Sequence, residues 1–274
     1  MRCRDVGEAV LRVRTGGAGP PVLLLHGHPR THTTWHRVAP LLADDFTVVC
    51  PDLRGYGESS KPGDYSKRAM ARDFVELMRG LGHEKFAVAG HDRGAAAAIR
   101  LALDHPDRVT HLAVLDGLPI GAHLARADAR FAQAWYHWFF LARQELAAAM
   151  INENPDLWYG RYQDTPDAMG VENWADFQRA IHDPETVLAM CGDYRAGLEV
   201  DRHHDDEDRA AGRRITCPVL ALWSAKDDLG ELYGDLSEIW AEWADDVRVR
   251  SLDCGHHMAE EVPVELVREL RSLF

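Results

Sequence analysis

Residues 86–100 read FAVAGHDRGAAAAIR. Phe86 to Ala89 is a short apolar run of the kind that makes a buried strand. Gly90 follows, then the charged pair Asp92-Arg93, then Gly94 and four alanines, the best helix formers available. The stretch predicts a strand that turns sharply into a helix, with a carboxylate and a guanidinium on the turn. Charge at a buried corner is costly unless it is paired or used.

The same form recurs on both sides of this stretch. PVLLLHG (21–27), FTVVCPDLRG (46–55), VTHLAVLDGLP (109–119), CPVLALWSAKDD (217–228) and VRVRSLDCGHH (247–257) read as further strands. Helix-like segments lie between them at 34–43, 66–81, 94–105, 231–244 and 260–273. Such alternation predicts an α/β fold with a mostly parallel sheet and helices on both faces. Continuous apolar runs suit strands buried on both sides. The alternation stops over 118–215, where aromatic residues gather with helical periodicity and no strand pattern. The expected organisation is a core of residues 1–117 and 216–274 with an inserted helical cap, 118–215.

Composition narrows the function. The chain has 274 residues, 46% of them hydrophobic, and a net charge of −13. That charge argues against a nucleic-acid partner and leaves a small-molecule substrate. An anionic one would need arginine placed locally. No stretch is apolar enough for a signal peptide or a membrane span. Five scattered cysteines, Cys3, Cys50, Cys191, Cys217 and Cys254, show no metal-ligand spacing and suit a reducing, cytoplasmic setting. His203 and His204 beside Asp205 and Asp206 are adjacent, and adjacent side chains rarely converge on one ion. No metal is expected.

In open parallel sheets, function gathers at the carboxyl ends of the strands. Those ends carry His26-Gly27-His28-Pro29, His91-Asp92-Arg93-Gly94, Asp116, Asp227-Asp228 and Gly255-His256-His257. Gly90-x-Asp92-x-Gly94 has the form of a nucleophile elbow with aspartate in place of serine. A carboxylate can displace a leaving group from an sp³ carbon and form an ester. A histidine oriented by an acid can then activate water against that ester. Asp92, Asp116 and His256 stand in the expected chain order, with the backbone N–H groups of His28 and Arg93 as candidate oxyanion donors. Asp227 or Asp228 could serve as the acid instead. Asp92 could also be only an N-cap, and Arg93 only a structural partner for a carboxylate.

The chain resembles the α/β-hydrolase superfamily, and within it the haloacetate (fluoroacetate) dehalogenases, with epoxide hydrolases and haloalkane dehalogenases as near relatives. HGHP (26–29), PDLRGYGESSKP (51–62), GHDRG (90–94), VLDGLP (114–119), YHWFFLA (136–142), CGDYRAG (191–197) and GHHMAEE (255–261) carry the resemblance. It implies Asp92 as nucleophile, His256 as base, Asp116 as the orienting acid and Arg93 as the grip on a substrate carboxylate. It also implies His137, Trp138 and Tyr194 as halide donors, no cofactor, and often a homodimer. Core packing alone would also explain His137 and Trp138. One departure stands out: the resemblance calls for a second arginine where this chain has Ala96. Arg30 is a candidate to replace it. The competing expectation is an epoxide hydrolase using the same Asp92 and His256 with two tyrosines from Tyr136, Tyr159, Tyr162 and Tyr194. A third is a ligand-binding protein that has lost hydrolysis.

Overall fold

The computed structural model describes residues 2–160 and 164–274. Its strands are β1 (Arg2–Asp5), β2 (Val10–Gly16), β3 (Pro21–Leu25), β4 (Thr47–Pro51), β5 (Phe86–His91), β6 (Val109–Leu115), β7 (Val219–Ser224) and β8 (Val247–Leu252). They form one sheet in the order β1-β2-β4-β3-β5-β6-β7-β8. The pairs from β4 through β8 are parallel, while β1 and β2 add antiparallel pairs at one edge. This is the α/β-hydrolase architecture.

The apolar runs of the inner strands split between the two faces with the period of two that a pleated strand imposes. Leu23, Leu25, Val88, Leu112 and Val114 face one cluster, together with Met70, Phe74 and Leu77 from the helix Lys67–Gly80. Val22, Leu24, Ala87, Ala89, Ala113 and Leu115 face the other, against Trp35 and against Leu266 and Leu270 of the helix Pro263–Leu273. Each fully buried leucine or valine contributes about 1.5–3 kcal/mol.

The structure departs from the sequence reading in four places, the first being the expected helix 34–43, which is divided into a 3-10 turn His32–Arg37 and a short helix Ala39–Leu42. The hairpin β1–β2 is absent from that reading because its residues alternate charge with apolar side chains, as edge strands do. The expected helix 231–244 is broken into Leu229–Tyr233 and Leu236–Trp240 by Gly234, whose φ is +68°. The expected helix 260–273 is interrupted before Pro263, which opens the helix Pro263–Leu273.

Between β6 and β7 the described elements are all helical, from Ile120–Ala125 to Arg202–Ala210. Buried guanidinium groups fasten this segment to the helix Arg93–Asp104, and Arg100 is one of them. Arg100 meets Asp208 at 2.6 Å, Asp205 at 2.7 Å and Asp104 at 3.0 Å. The second oxygen of Asp205 accepts the Gly121 N–H at 2.8 Å, joining both ends of the segment. Burial raises the Asp205 carboxyl to about 6 even with Arg100 beside it. The pair His203–Glu207 is exposed, and Asp205 points to Arg100, so 203–206 do not converge on a common point. Among the described residues no helix is long and apolar enough to cross a membrane.

Removing Arg100 leaves Asp205 buried without its countercharge and takes one of two guanidinium partners from Asp208, which keeps Arg213. Arg100→Ala is expected to lower the unfolding free energy by about 3–5 kcal/mol, read as a fall in the urea midpoint.

Candidate active site

Asp92 ends β5 in a conformation that only a constrained turn holds. Its φ is +52° and its ψ −115°. Among the described residues, the only other non-glycine with positive φ is Asp116, at +49°, directly after β6. Such backbone costs of order 1–3 kcal/mol per residue and persists where the surroundings fix it. Two glycines make room for the Asp92 turn. A Cβ on Gly94 would lie 2.3 Å from the His26 carbonyl oxygen, and one on Gly27 would lie 2.5 Å from the Asp92 side chain. The helix Arg93–Asp104 leaves the turn with its positive end towards the carboxylate.

The Asp92 carboxylate is held by backbone donors. Its Oδ1 accepts the His28 N–H at 2.6 Å, and the Arg93 backbone N–H also stabilises it. Burial works to raise its pKa. The charges of His256, His91 and Arg93 and the Arg93 N–H outweigh that and hold it below the usual carboxylate range. The side chain is therefore an anion at neutral pH.

His256 sits after β8 and meets two carboxylates through the same nitrogen. Nδ1 lies 2.6 Å from Asp116 Oδ2 and 3.0 Å from Asp227 Oδ2. The sequence left these acids as alternatives, and the structure brings both to the imidazole. Burial disfavours the imidazolium, but hydrogen bonds to Asp116 and Asp227 and the nearby Asp92 charge more than offset it. They place the His256 pKa well above its ordinary value. The two acids differ. Asp116 is deeply buried and accepts the Ser224 N–H at 2.9 Å. Burial pushes its pKa up, whereas the His256 contact outweighs burial at Asp227 and pulls its pKa down. Asp228 points elsewhere. It accepts the Trp135 indole N–H at 2.7 Å, and burial lifts it to about 6.

The neighbouring histidines are not equivalent to His256. His91 contacts the His256 carbonyl oxygen at 2.7 Å, and burial lowers its pKa to about 4. Burial also keeps His257 neutral, and its N–H donates to Glu261.

A cavity of about 480 Å³ opens over these groups. Asp92, Asp116, Asp227 and His256 line it, as do His137, Trp138 and Tyr194 from the helical segment and His28, Arg93 and Ala96 from the core. The Tyr194 ring stands 5.9 Å from His137 and 6.2 Å from Trp138. The three candidate halide donors thus come to one wall from two helices, His137 and Trp138 from Tyr136–Leu141 and Tyr194 from Pro184–Ala196. Of the candidate tyrosines, Tyr136 and Tyr194 line the cavity; Tyr159 is buried beside His28, and Tyr162 lies outside the described residues.

Arg93 lies in the wall, yet its fork is occupied. Nε donates to Asp193 Oδ2 at 3.1 Å, and Nη2 donates to Asp193 Oδ1 at 2.8 Å and to the Asp193 carbonyl at 3.0 Å. Tyr194 and Trp138 stack on the guanidinium at 4.4 and 5.5 Å. The sequence reading missed Asp193 although it stands inside CGDYRAG, immediately before Tyr194. Arg30 does not fill the place of an arginine at Ala96. It is buried between Asp164, at 2.7 Å, and Glu260, at 3.0 Å, because its sequence neighbours Thr31 and Thr34 are drawn into the same polar cluster.

A profile of the family described as alpha/beta hydrolase fold matches residues 20–263. Fluoroacetate dehalogenase of a Burkholderia species is 40% identical over 99% of this chain and 92% of its own length. Soluble epoxide hydrolase of Corynebacterium sp. (strain C12) is 36% identical over 91% of this chain and 88% of its own. Among solved structures, ALR0039 of Nostoc sp PCC 7120 superposes with a TM-score of 0.94 at 44% identity, covering 99% of this chain and 96% of that one.

The His256 geometry has a direct readout. Its imidazole is expected to titrate above 6.5 by NMR. Asp116→Asn should lower that pKa more than Asp227→Asn, since the Asp116 contact is shorter and drier.

Proposed function

The chain belongs to the alpha/beta hydrolase fold family, and on that premise we propose that it hydrolyses a carbon–halogen bond in a short α-halo carboxylic acid through an ester on Asp92. The observation that carries this reading is the Asp92 carboxylate itself. It is ionised, held at Oδ1 by the His28 N–H and further stabilised by the Arg93 N–H, and shares a cavity with His256 and three aromatic donors.

The steps follow from that arrangement. Oδ1 is occupied by the His28 N–H, so Oδ2 attacks the halogen-bearing carbon and the halide leaves with the bonding pair. His137, Trp138 and Tyr194 supply N–H and O–H donors to the departing anion. Asp92 is now a neutral ester whose carbonyl oxygen already rests on the donors of His28 and Arg93. His256 takes a proton from water, and the hydroxide attacks the Asp92 carbonyl carbon. The tetrahedral oxyanion forms where those donors wait; one such donor is worth about 3 kcal/mol. Collapse breaks the ester, the alkoxide takes the proton from His256, the 2-hydroxy acid leaves, and Asp92 releases the remaining water proton to solvent to become a carboxylate again. Asp116 orients the imidazole and supports its charge, with Asp227 sharing that work. The helical segment acts as the cap that closes the cavity and completes the halide pocket. No cofactor enters these steps, and the five unpaired thiols suit a reducing, cytoplasmic setting. A small-molecule substrate is the expected partner, and a homodimer the expected assembly.

A second reading, epoxide hydrolysis by the same Asp92 and His256, is favoured by one specific observation. The Arg93 fork is taken by Asp193, and Ala96 is neutral, which suits an uncharged substrate; Tyr136 and Tyr194 could protonate the opening ring. Halide-release and diol-formation screens run side by side separate the two.

Three outcomes test the mechanism. A single turnover in ¹⁸O-water should place the label in Asp92; label found only in product would mean direct attack by water. Asp92→Ala should lower halide release from chloroacetate by at least about 10³-fold. The two chemical steps should differ in pH dependence. Alkylation needs ionised Asp92, whose lowered pKa keeps the step flat across the neutral range. Ester hydrolysis needs neutral His256, so its rate should rise with pH through a pKa above 6.5 in rapid-quench measurements.

A further inference from the structure

We propose that Lys67 is a positioning residue for the substrate anion, acting through Asp193 to keep the Arg93 guanidinium attractive to a carboxylate. The proposal rests on the α-halo acid reading above.

Arg93 has a difficulty as a carboxylate grip. Nε and Nη2 are spent on Asp193, which leaves Nη1 without a partner among the described residues. The Arg93–Asp193 pair taken alone is neutral, and a neutral pair holds an anion poorly. A third buried group changes the balance. The Lys67 ammonium lies directly on Asp193 Oδ1, the oxygen that also accepts Arg93 Nη2. Tyr56 donates to the other oxygen at 2.7 Å. One carboxylate thus faces two cations, and all of these side chains are buried.

Asp201 is the more distant of the two acids near Lys67. Its Oδ1 is used by the Lys67 backbone N–H at 2.8 Å, and its Oδ2 stands 3.9 Å from the ammonium with no hydrogen-bond partner among the described residues, whereas Asp193 is in direct contact. Burial raises the pKa of Asp201. Burial and the Arg93 charge pull Lys67 down, while Asp193 and Asp201 work to keep it charged. Because Asp193 is shared with Lys67, it compensates the Arg93 guanidinium less completely, and Arg93 lines the cavity.

The backbone is shaped around this group. The helix Pro184–Ala196 carries Asp193 and Tyr194 and continues into a wider π-helical turn, Gly197–Asp201, which brings Asp201 to Lys67. A Cβ on Gly197 would lie 2.9 Å from Arg93 Nη2. Asp193, Tyr194 and Gly197 therefore surround one guanidinium, and Lys67 stands behind it at the first turn of the helix Lys67–Gly80.

The test compares chloroacetate with its neutral isostere chloroacetamide by halide release. The readout is the ratio of their kcat/KM values. Lys67→Met is expected to lower the acid-to-amide ratio roughly tenfold, the scale of one unit charge acting across several ångströms of protein interior. The loss should appear in KM for the acid, and Lys67→Arg should restore most of it. Lys67→Gln offers a second neutral variant should the methionine not fold. A ratio unchanged in a folded neutral variant, with both substrates slowed alike, would make Lys67 a purely structural residue and overturn the proposal. If the wild-type enzyme releases halide but shows no preference for the acid, Arg93 does not read a carboxylate at all. If it releases halide from neither substrate, the dehalogenase reading itself has failed.

Discussion

A carboxylate at the end of a buried strand must be stabilised by something other than bulk water, and the site is arranged around that requirement. Asp92 obtains its donors from two peptide N–H groups, those of His28 and Arg93. To reach both, the chain must turn through a left-handed conformation and pass so close to its neighbours that positions 27 and 94 have no room for a Cβ. The strain and the glycines follow from the need to ionise one side chain in a fixed place. In the proposed mechanism the same two N–H groups would serve successive species, first the anion, then the ester carbonyl, then the oxyanion. Donors set in advance cost no reorganisation when charge develops.

The imidazole poses the opposite problem. A base must be neutral to accept a proton, yet His256 has Asp116 and Asp227 on one nitrogen and the Asp92 charge nearby, all favouring the imidazolium. In the proposed mechanism alkylation would resolve part of this conflict. With Asp92 an ester its charge would be gone, and the His256 pKa would fall towards the range where it can take a proton from water. On that reading the nucleophile and the base are coupled, each step preparing the protonation state that the next one needs. Two carboxylates on one nitrogen also interact with one another, and their protons belong to the pair rather than to either residue.

Much of this was legible in the sequence for reasons of periodicity. Strands buried on both faces leave continuous apolar runs, and six of them announced the parallel sheet. The residues after those runs had to fall at one edge, which put Asp92, Asp116, Asp227 and His256 within reach of one another before any coordinate was known. What escaped was local or paired. The hairpin β1–β2 carries an edge-strand pattern, half charged. The break at Gly234 depends on one residue's backbone angle. The occupation of Arg93 by Asp193 could not be read because the two are far apart in sequence, and a carboxylate in a helical run looks like any solvated face. The same holds for Arg30, whose partners Asp164 and Glu260 come from distant parts of the chain.

The charge of the whole molecule sharpens the question of substrate. A chain with a net charge of −13 repels small anions at long range, so affinity for one has to be built locally and kept dry. Salt bridges taken out of water are weak evidence of stability, because desolvation consumes most of what the Coulomb attraction returns. The group formed by Arg93, Asp193, Lys67 and Tyr56 is costly by that measure, and apolar residues of similar volume would cost less. Its position suggests what it is kept for: it lies directly behind the cavity wall, in contact with the elbow helix on one side and the Tyr194 helix on the other. In the proposed role, two cations sharing the Asp193 carboxylate would hold a fixed field behind the cavity wall, with Tyr194 and Trp138 packed on the guanidinium.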